Sequence, residues 1–182
     1  MASRDINELI PEFQPLARQL LQNCKASGIE MRPFNTLRDP FEQARLWRQS
    51  RTTEEVKRKI AEFRDAGIGF LAFCLESVGK QFGRQVTNAP PGLSWHQWGE
   101  SMDCFWVVDG QAEWSTTKMV NGLNGYQVYT EEAQKLGLTP GGLFKKLKDF
   151  PHLQFRPASS PLSDLSLQQI NQIMEERFGH LA

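Results

Sequence analysis

Two of the three histidines in this chain sit in short motifs far apart in sequence, and the fold has to bring those motifs together. The first motif is Ser94-Trp95-His96-Gln97-Trp98-Gly99-Glu100-Ser101-Met102-Asp103, and the second is Asp149-Phe150-Pro151-His152. They offer His96, Asp103 and His152 as metal ligands, with Asp149 as a spare carboxylate just before the second histidine. A catalytic zinc takes three such protein ligands, keeps one open position for water, and works beside an acid/base group. His96 and Asp103 are an odd number of residues apart, so a continuous strand would point them to opposite faces. The chain must therefore turn between them, and Gly99 is the natural place. This puts His96 on a loop and Asp103 on the strand that follows. Pro151 excludes a helix interior, so Asp149 belongs in a turn and His152 at the start of a strand.

At 182 residues and 20.8 kDa the chain suits one domain with an ample core. Lysine plus arginine and aspartate plus glutamate both total 21, so the net charge is zero. That argues against nucleic acid or an anionic membrane as the main partner, since both need surplus positive charge. Cys24, Cys74 and Cys104 form no CxxC pair, so neither a disulfide framework nor a thiolate zinc knuckle is expected. The start, Met1-Ala2-Ser3-Arg4-Asp5, has no apolar core or cleavage site and does not read as a signal peptide. No apolar run is long enough to span a membrane. The expectation is synthesis in the cytoplasm.

Leu9, Phe13, Leu16 and Leu20 recur at helical steps, which predicts an amphipathic helix over 5–27, stopped by Gly28. Ile29–Phe34 reads as a strand. Asp39-Pro40 looks like an N-cap with proline in the first turn of a helix reaching Gln49. Thr52 and Glu55 form a capping-box pattern ahead of Val56, Ile60 and Phe63. A second apolar helix, Phe70–Val78, follows Gly67 and Gly69. This pair makes 52–83 the most insertion-like stretch, serving either as packing or as a lid. Gln85–Thr87 reads as a strand, Asn88–Gly92 as a loop, and Met102–Val108 as a strand turning at Asp109-Gly110. A short helix is expected over Thr130–Leu136, a strand over His152–Phe155, and a last helix capped by Ser166 and Gln169. The pattern is α+β: a small antiparallel sheet carrying the metal residues, flanked by helices, in a single domain over 1–182.

The motifs resemble those of the zinc peptidases that include D-alanyl-D-alanine carboxypeptidases, vancomycin-resistance dipeptidases and phage L-alanyl-D-glutamate endopeptidases. That family carries Ser-x-His-x-x-Gly-x-Ala-x-Asp, then Glu or Asp three residues before a Pro-His. Here Ser94, His96, Gly99, Ser101 and Asp103 match, with Ser101 in place of alanine, and Asp149, Pro151 and His152 match the second segment. Upstream, Thr36-Leu37-Arg38 leading to Gln43 and Leu46 is similar to the family's arginine and glutamine, with Leu37 replacing the usual aromatic. Val86-Thr87-Asn88-Ala89 and Gly92 also look familial.

The resemblance implies Zn2+ held by His96, Asp103 and His152, Asp149 as acid/base, and Arg38 as stabiliser of the oxyanion. Ser94 and Gln43 would contact or support substrate. It implies hydrolysis of peptidoglycan stem peptides. Aspartate rather than glutamate at 149 looks more like the L-alanyl-D-glutamate endopeptidase branch than the D-alanyl-D-alanine branch. Reaching the cell wall would then need a route other than a signal peptide. Other readings stand beside these. Asp149 could orient a ligand histidine, and Arg38 could pair with Asp39 or Glu42. Trp95 and Trp98 suit packing as well as a substrate groove, and Lys145, Lys146 and Lys148 suit a solvated face as well as substrate carboxylates. A zinc-containing binding module of hedgehog type would keep the metal without turnover. A nucleoside deaminase would require a Pro-Cys-x-x-Cys that this chain lacks.

Overall fold

The computed structural model describes residues 3–145 and 148–182; Met1, Ala2, Lys146 and Leu147 lie outside the described residues. In chain order the helices are α1 (Phe13–Ala26), α2 (Pro40–Arg48), α3 (Thr53–Asp65), α4 (Gly69–Ser77), α5 (Gly125–Lys135) and α6 (Leu167–Phe178). The strands are β1 (Glu30–Asn35), β2 (Ser101–Val108), β3 (Gln111–Glu113), β4 (Thr139–Pro140) and β5 (His152–Gln154). All pairings among the described strands are antiparallel, so the fold is the α+β architecture expected. No described helix is long and apolar enough to cross a membrane. The chain divides into two compact units, one of residues 3–37 with Trp98–Pro157 and the other of Arg38–Gln97 with Ala158–Ala182.

The first unit holds the sheet, in the order β1-β2-β5-β4. β2 is the organising strand: β1 pairs along one edge, and β3 and β5 share the other. Met102, Cys104 and Trp106 alternate onto one face of β2 and are buried against α1 and α5. Phe13, Ala17, Leu20 and Cys24 form the apolar stripe of α1, and Tyr126, Tyr129 and Ala133 that of α5. The opposite face of β2 carries Asp103.

The second unit is helical. α4 has little polar surface and buries Phe70, Leu71, Ala72, Cys74 and Leu75, while α2, α3 and α6 pack around it. No side chain caps α4 at Ile68, and Asn171 of α6 instead accepts from the Leu71 N–H at 3.1 Å. The stretch 52–83 thus includes the core of this unit. Capping boxes at Thr52/Glu55 and Ser166/Gln169 start α3 and α6 as their sequences indicate.

Three expectations change. The helix read over 5–27 begins at Phe13, preceded by a 3-10 turn at Ile6–Glu8, because Pro11 disfavours helical backbone at Ile10. The helix read from Thr130 starts at Gly125, capped by the Asn124 side chain accepting from the Gln127 N–H at 2.9 Å. Gln85–Thr87 forms no strand. At Thr87 the carbonyl accepts from Arg51 at 3.2 Å and the hydroxyl accepts from Gln43 at 3.3 Å.

Gly99, where the chain turns into β2, has φ +71°. A Cβ there would lie 2.9 Å from the Glu8 carbonyl oxygen, so both conformation and space demand glycine. Gly99→Ala is expected to lower stability by about 1–3 kcal/mol in urea unfolding. Gly69→Ala, where nothing lies within 4 Å and φ is ordinary, should match or exceed the parent stability. Equal midpoints for the two variants would show that the turn relaxes at no cost.

Candidate metal centre

His96 rides on a 3-10 turn, Trp95–Trp98, that local hydrogen bonds hold in place. The turn opens on the Ser94 carbonyl, which accepts from the Gln97 N–H at 3.0 Å. The Gln97 side chain accepts from the Gly92 N–H at 2.6 Å, and the Trp95 indole donates to the Ala158 carbonyl at 2.7 Å. The His96 carbonyl in turn accepts from the Arg38 N–H at 3.1 Å. His96 is buried, and Ser94 is half-buried. Trp95 therefore has a packing role with its one polar atom satisfied.

Asp103 and His152 meet because β2 and β5 pair with these residues directly opposite each other. Asp103 Oδ1 and His152 Nδ1 are 3.0 Å apart. Donors around a tetrahedral zinc stand about 3.3 Å from one another, so this pair is already spaced for a shared ion. On the other edge of β2, Asp103 pairs with Asn35 of β1, whose amide donates to Asp103 Oδ2 at 3.1 Å. Gln154, two residues along β5 and on the same face as His152, places Oε1 3.2 Å from His152 Nε2. Gln154 is itself fixed by donating to the Arg156 carbonyl at 2.6 Å. Ligands so held keep their orientation, which is what metal sites require of their surroundings.

Electrostatics favour a cation here. Burial by itself would lower the His152 pKa, but the hydrogen bond and charge of Asp103, the charge of Asp149 and the Gln154 contact outweigh it and raise the pKa above 6.5. The acceptors that favour a proton on His152 equally favour a positive ion at the same place. Among the described residues, one donor atom from each of His96, Asp103 and His152 lies within 4.8 Å of the others, a grouping that could hold a metal ion. Two imidazoles and a carboxylate suit zinc.

Asp149 is exposed and sits in the expected turn, closed by the His152 N–H donating to the Asp149 carbonyl at 3.1 Å. The Asp149 N–H donates to the Gly141 carbonyl at 3.0 Å. Gly141 permits this approach, since a Cβ there would come within 2.3 Å of the Asp149 carbonyl oxygen. Arg38 is buried and donates from Nη1 to the Gln43 side-chain oxygen at 2.8 Å. Gln43 is fully buried and donates to the Ala89 carbonyl at 2.7 Å, so it ties Arg38 to the loop before the first motif. Cys104 faces the core, and His180 is exposed near the chain end. Lys145 and Lys148 are exposed, and Lys146 falls outside the described residues. Asn35, Gln154 and Gly141 were not legible as site residues, because only strand register and backbone approach give them their parts.

The chain is similar to several solved structures. The Serratia marcescens L-Ala D-Glu endopeptidase ChiX shares 17% identity, with 86% of this chain and 89% of that one covered, at a TM-score of 0.43. A variant of the vancomycin-resistance D,D-pentapeptidase VanY in complex with Zn(II) shares 16% identity over 92% and 78% of the chains, at 0.46. VanYB in complex with D-alanine-D-alanine shares 16% identity over 93% and 78%, at 0.44. No curated protein matches the sequence. The family model described as VanY, D-alanyl-D-alanine carboxypeptidase, matches residues 7–140, well over half the chain and including the whole first motif. The chain belongs to the VanY family and is a zinc peptidase acting on peptidoglycan peptides.

Proposed function

We propose that the chain is an L-alanyl-D-glutamate endopeptidase in which His96, Asp103 and His152 hold zinc and Asp149 is the general acid/base. The observation that carries this reading is the convergence of the two imidazoles and the Asp103 carboxylate, with Asp149 exposed on the turn that leads into His152. Zinc, when bound, supplies Lewis acidity toward the scissile carbonyl and toward water. The Asp149 carboxylate takes a proton from the attacking water and later delivers it to the leaving amine. Arg38 stabilises charge on the carbonyl oxygen as it develops. Gln43 holds Arg38 through the 2.8 Å hydrogen bond and so acts on substrate through it. Ser94 supports the His96 turn and lies beside substrate.

An aspartate at 149, one methylene shorter than glutamate, is the feature that supports the endopeptidase branch. The matched family model, described as D-alanyl-D-alanine carboxypeptidase, favours the second reading, removal of D-alanine from the peptide end. Mass spectrometry of L-Ala-D-Glu-(diamino acid)-D-Ala-D-Ala after incubation with zinc-loaded protein decides between them. Release of L-alanine is expected. Release of D-alanine or its dipeptide would move the cut to the other end of the peptide, and an intact peptide would favour a binding module.

Asp149→Ala should reduce kcat by about 10²–10⁴-fold with zinc content unchanged; full activity would remove Asp149 from its role. Asn35→Ala should weaken zinc binding by about 10–100-fold in chelator competition, because Asp103 loses the donor that orients it. Removing zinc with a chelator should abolish hydrolysis, and adding it back should restore turnover.

A further inference from the structure

The face of β2 that presents Asp103 does not end there. Two residues further along the same face is Phe105, half-buried, with its ring centroid 6.3 Å from that of Phe34 and 5.7 Å from that of Trp114. Phe34 and Trp114 meet edge to face at 5.1 Å. Phe34 lies in the irregularity between Pro33 and Asn35, next to the residue whose amide holds Asp103. Trp114 follows β3, where Glu113 pairs with Trp106, and this sets it beside Phe105. Trp114 is 52% exposed, an uncommon position for so large an apolar ring. Arg32, opposite Phe105 in the register, forms an exposed ion pair with Glu30 at 2.6 Å and lends the aromatic surface a polar rim.

We propose that Phe34, Phe105 and Trp114 form a subsite that stacks against the N-acetylmuramyl ring to which the stem peptide is attached. The inference rests on the endopeptidase reading above. A pyranose ring presents a face of C–H groups that packs on aromatic rings, while its hydroxyl and N-acetyl groups need polar partners at the edge. Three clustered rings with an ion pair beside them have that composition. Spacing supplies the second argument. Asp103 and Phe105 are about 6.8 Å apart along the strand. The bond after L-alanine is separated from the sugar by one residue and the lactyl link, so one extended residue of about 3.4 Å leaves the sugar over the rings. The bond between the two D-alanines lies four residues from the sugar, about 14 Å away, too far to use this surface while the peptide is being cut.

Two measurements test the proposal. In the first, kcat/KM is compared for the muramyl-linked peptide and the sugar-free peptide, with parent protein, Trp114→Ala and Trp114→Phe. The parent should favour the muramyl substrate by about tenfold, mainly through KM; the preference should collapse in Trp114→Ala and partly return in Trp114→Phe. Equal use of both substrates by the parent, or a preference that survives Trp114→Ala, would overturn the subsite. In the second, calorimetry follows binding of muramyl-L-alanine to the zinc-loaded parent and to Trp114→Ala, with circular dichroism confirming the variant's fold. Binding weakened about tenfold in the variant supports the subsite whichever bond is cut. Failure of the parent to bind the compound rejects it even if L-alanine is released from the free peptide. Cleavage only between the D-alanines would instead reject the endopeptidase reading, leaving the calorimetry to decide the subsite alone.

Discussion

The site depends on one strand being paired correctly on both edges. β2 sets Asp103 opposite Asn35 on one side and opposite His152 on the other. Side chains alternate along a strand, so a slip of one residue would send Asp103 into the core and bring Cys104 or Met102 to the metal face. Such a slip would bury a carboxylate among Phe13, Leu20 and Tyr129 without a partner, at a cost of several kcal/mol. It would also expose side chains that are now wholly buried. The apolar packing that stabilises the sheet therefore selects the register that sets Asp103 opposite Asn35 and His152. Stability and chemistry are set by the same alternation.

The helical unit makes a different contribution. Its core is α4, and around that core α2 carries Gln43, a fully buried amide whose two ends are both engaged. One end accepts from Arg38 and the other donates to Ala89, so a guanidinium and a loop backbone are fixed by one side chain. A buried amide is tolerable only when its donors and acceptors are met, and here the partners that meet them are the residues needing to be placed. Thr87 is drawn into the same arrangement, accepting from Gln43 and, through its carbonyl, from Arg51. These bonds hold Thr87 at the end of a Gln85-Val86-Thr87 stretch that forms no strand. The Thr87 carbonyl and hydroxyl are both occupied by side chains, and Val86 stays half-exposed.

What was legible in the sequence was whatever is written in neighbouring residues. The caps of α2, α3 and α6 follow from Asp39, Thr52 with Glu55, and Ser166 with Gln169, each a contact made within one turn. The reversal at Gly99 follows from the odd spacing of His96 and Asp103. The α+β class follows from short alternating runs beside amphipathic ones. The start of α1 was misplaced because the apolar period runs back through Leu9, a residue that is buried without being helical. Asn35 and Gln154 were invisible for a deeper reason. Nothing near either of them names Asp103 or His152, and their parts exist only once β1, β2 and β5 are in register. Trp114 is similar in that only the pairing of β3 with β2 brings it to Phe105.

On the roles proposed above, the contrast between the buried candidate ligands and the exposed Asp149 follows from what each would have to do. Ligands have to keep one geometry and one protonation state, so His96 and Asp103 are buried and Asp103 and His152 are hydrogen-bonded to neutral amides. A buried amide orients a ligand without adding charge that would compete with the metal. An acid/base has to gain and lose protons once per turnover, which favours contact with solvent and a pKa that its neighbours can adjust. Asp149 lies exposed on a turn that its own backbone fixes at two points, to Gly141 and to His152. The main chain is held while the carboxylate stays open to water. Because the same turn also delivers His152 to β5, a shift in the position of Asp149 would shift His152 with it. The second motif therefore behaves as one unit, and Pro151 stiffens the link between Asp149 and His152.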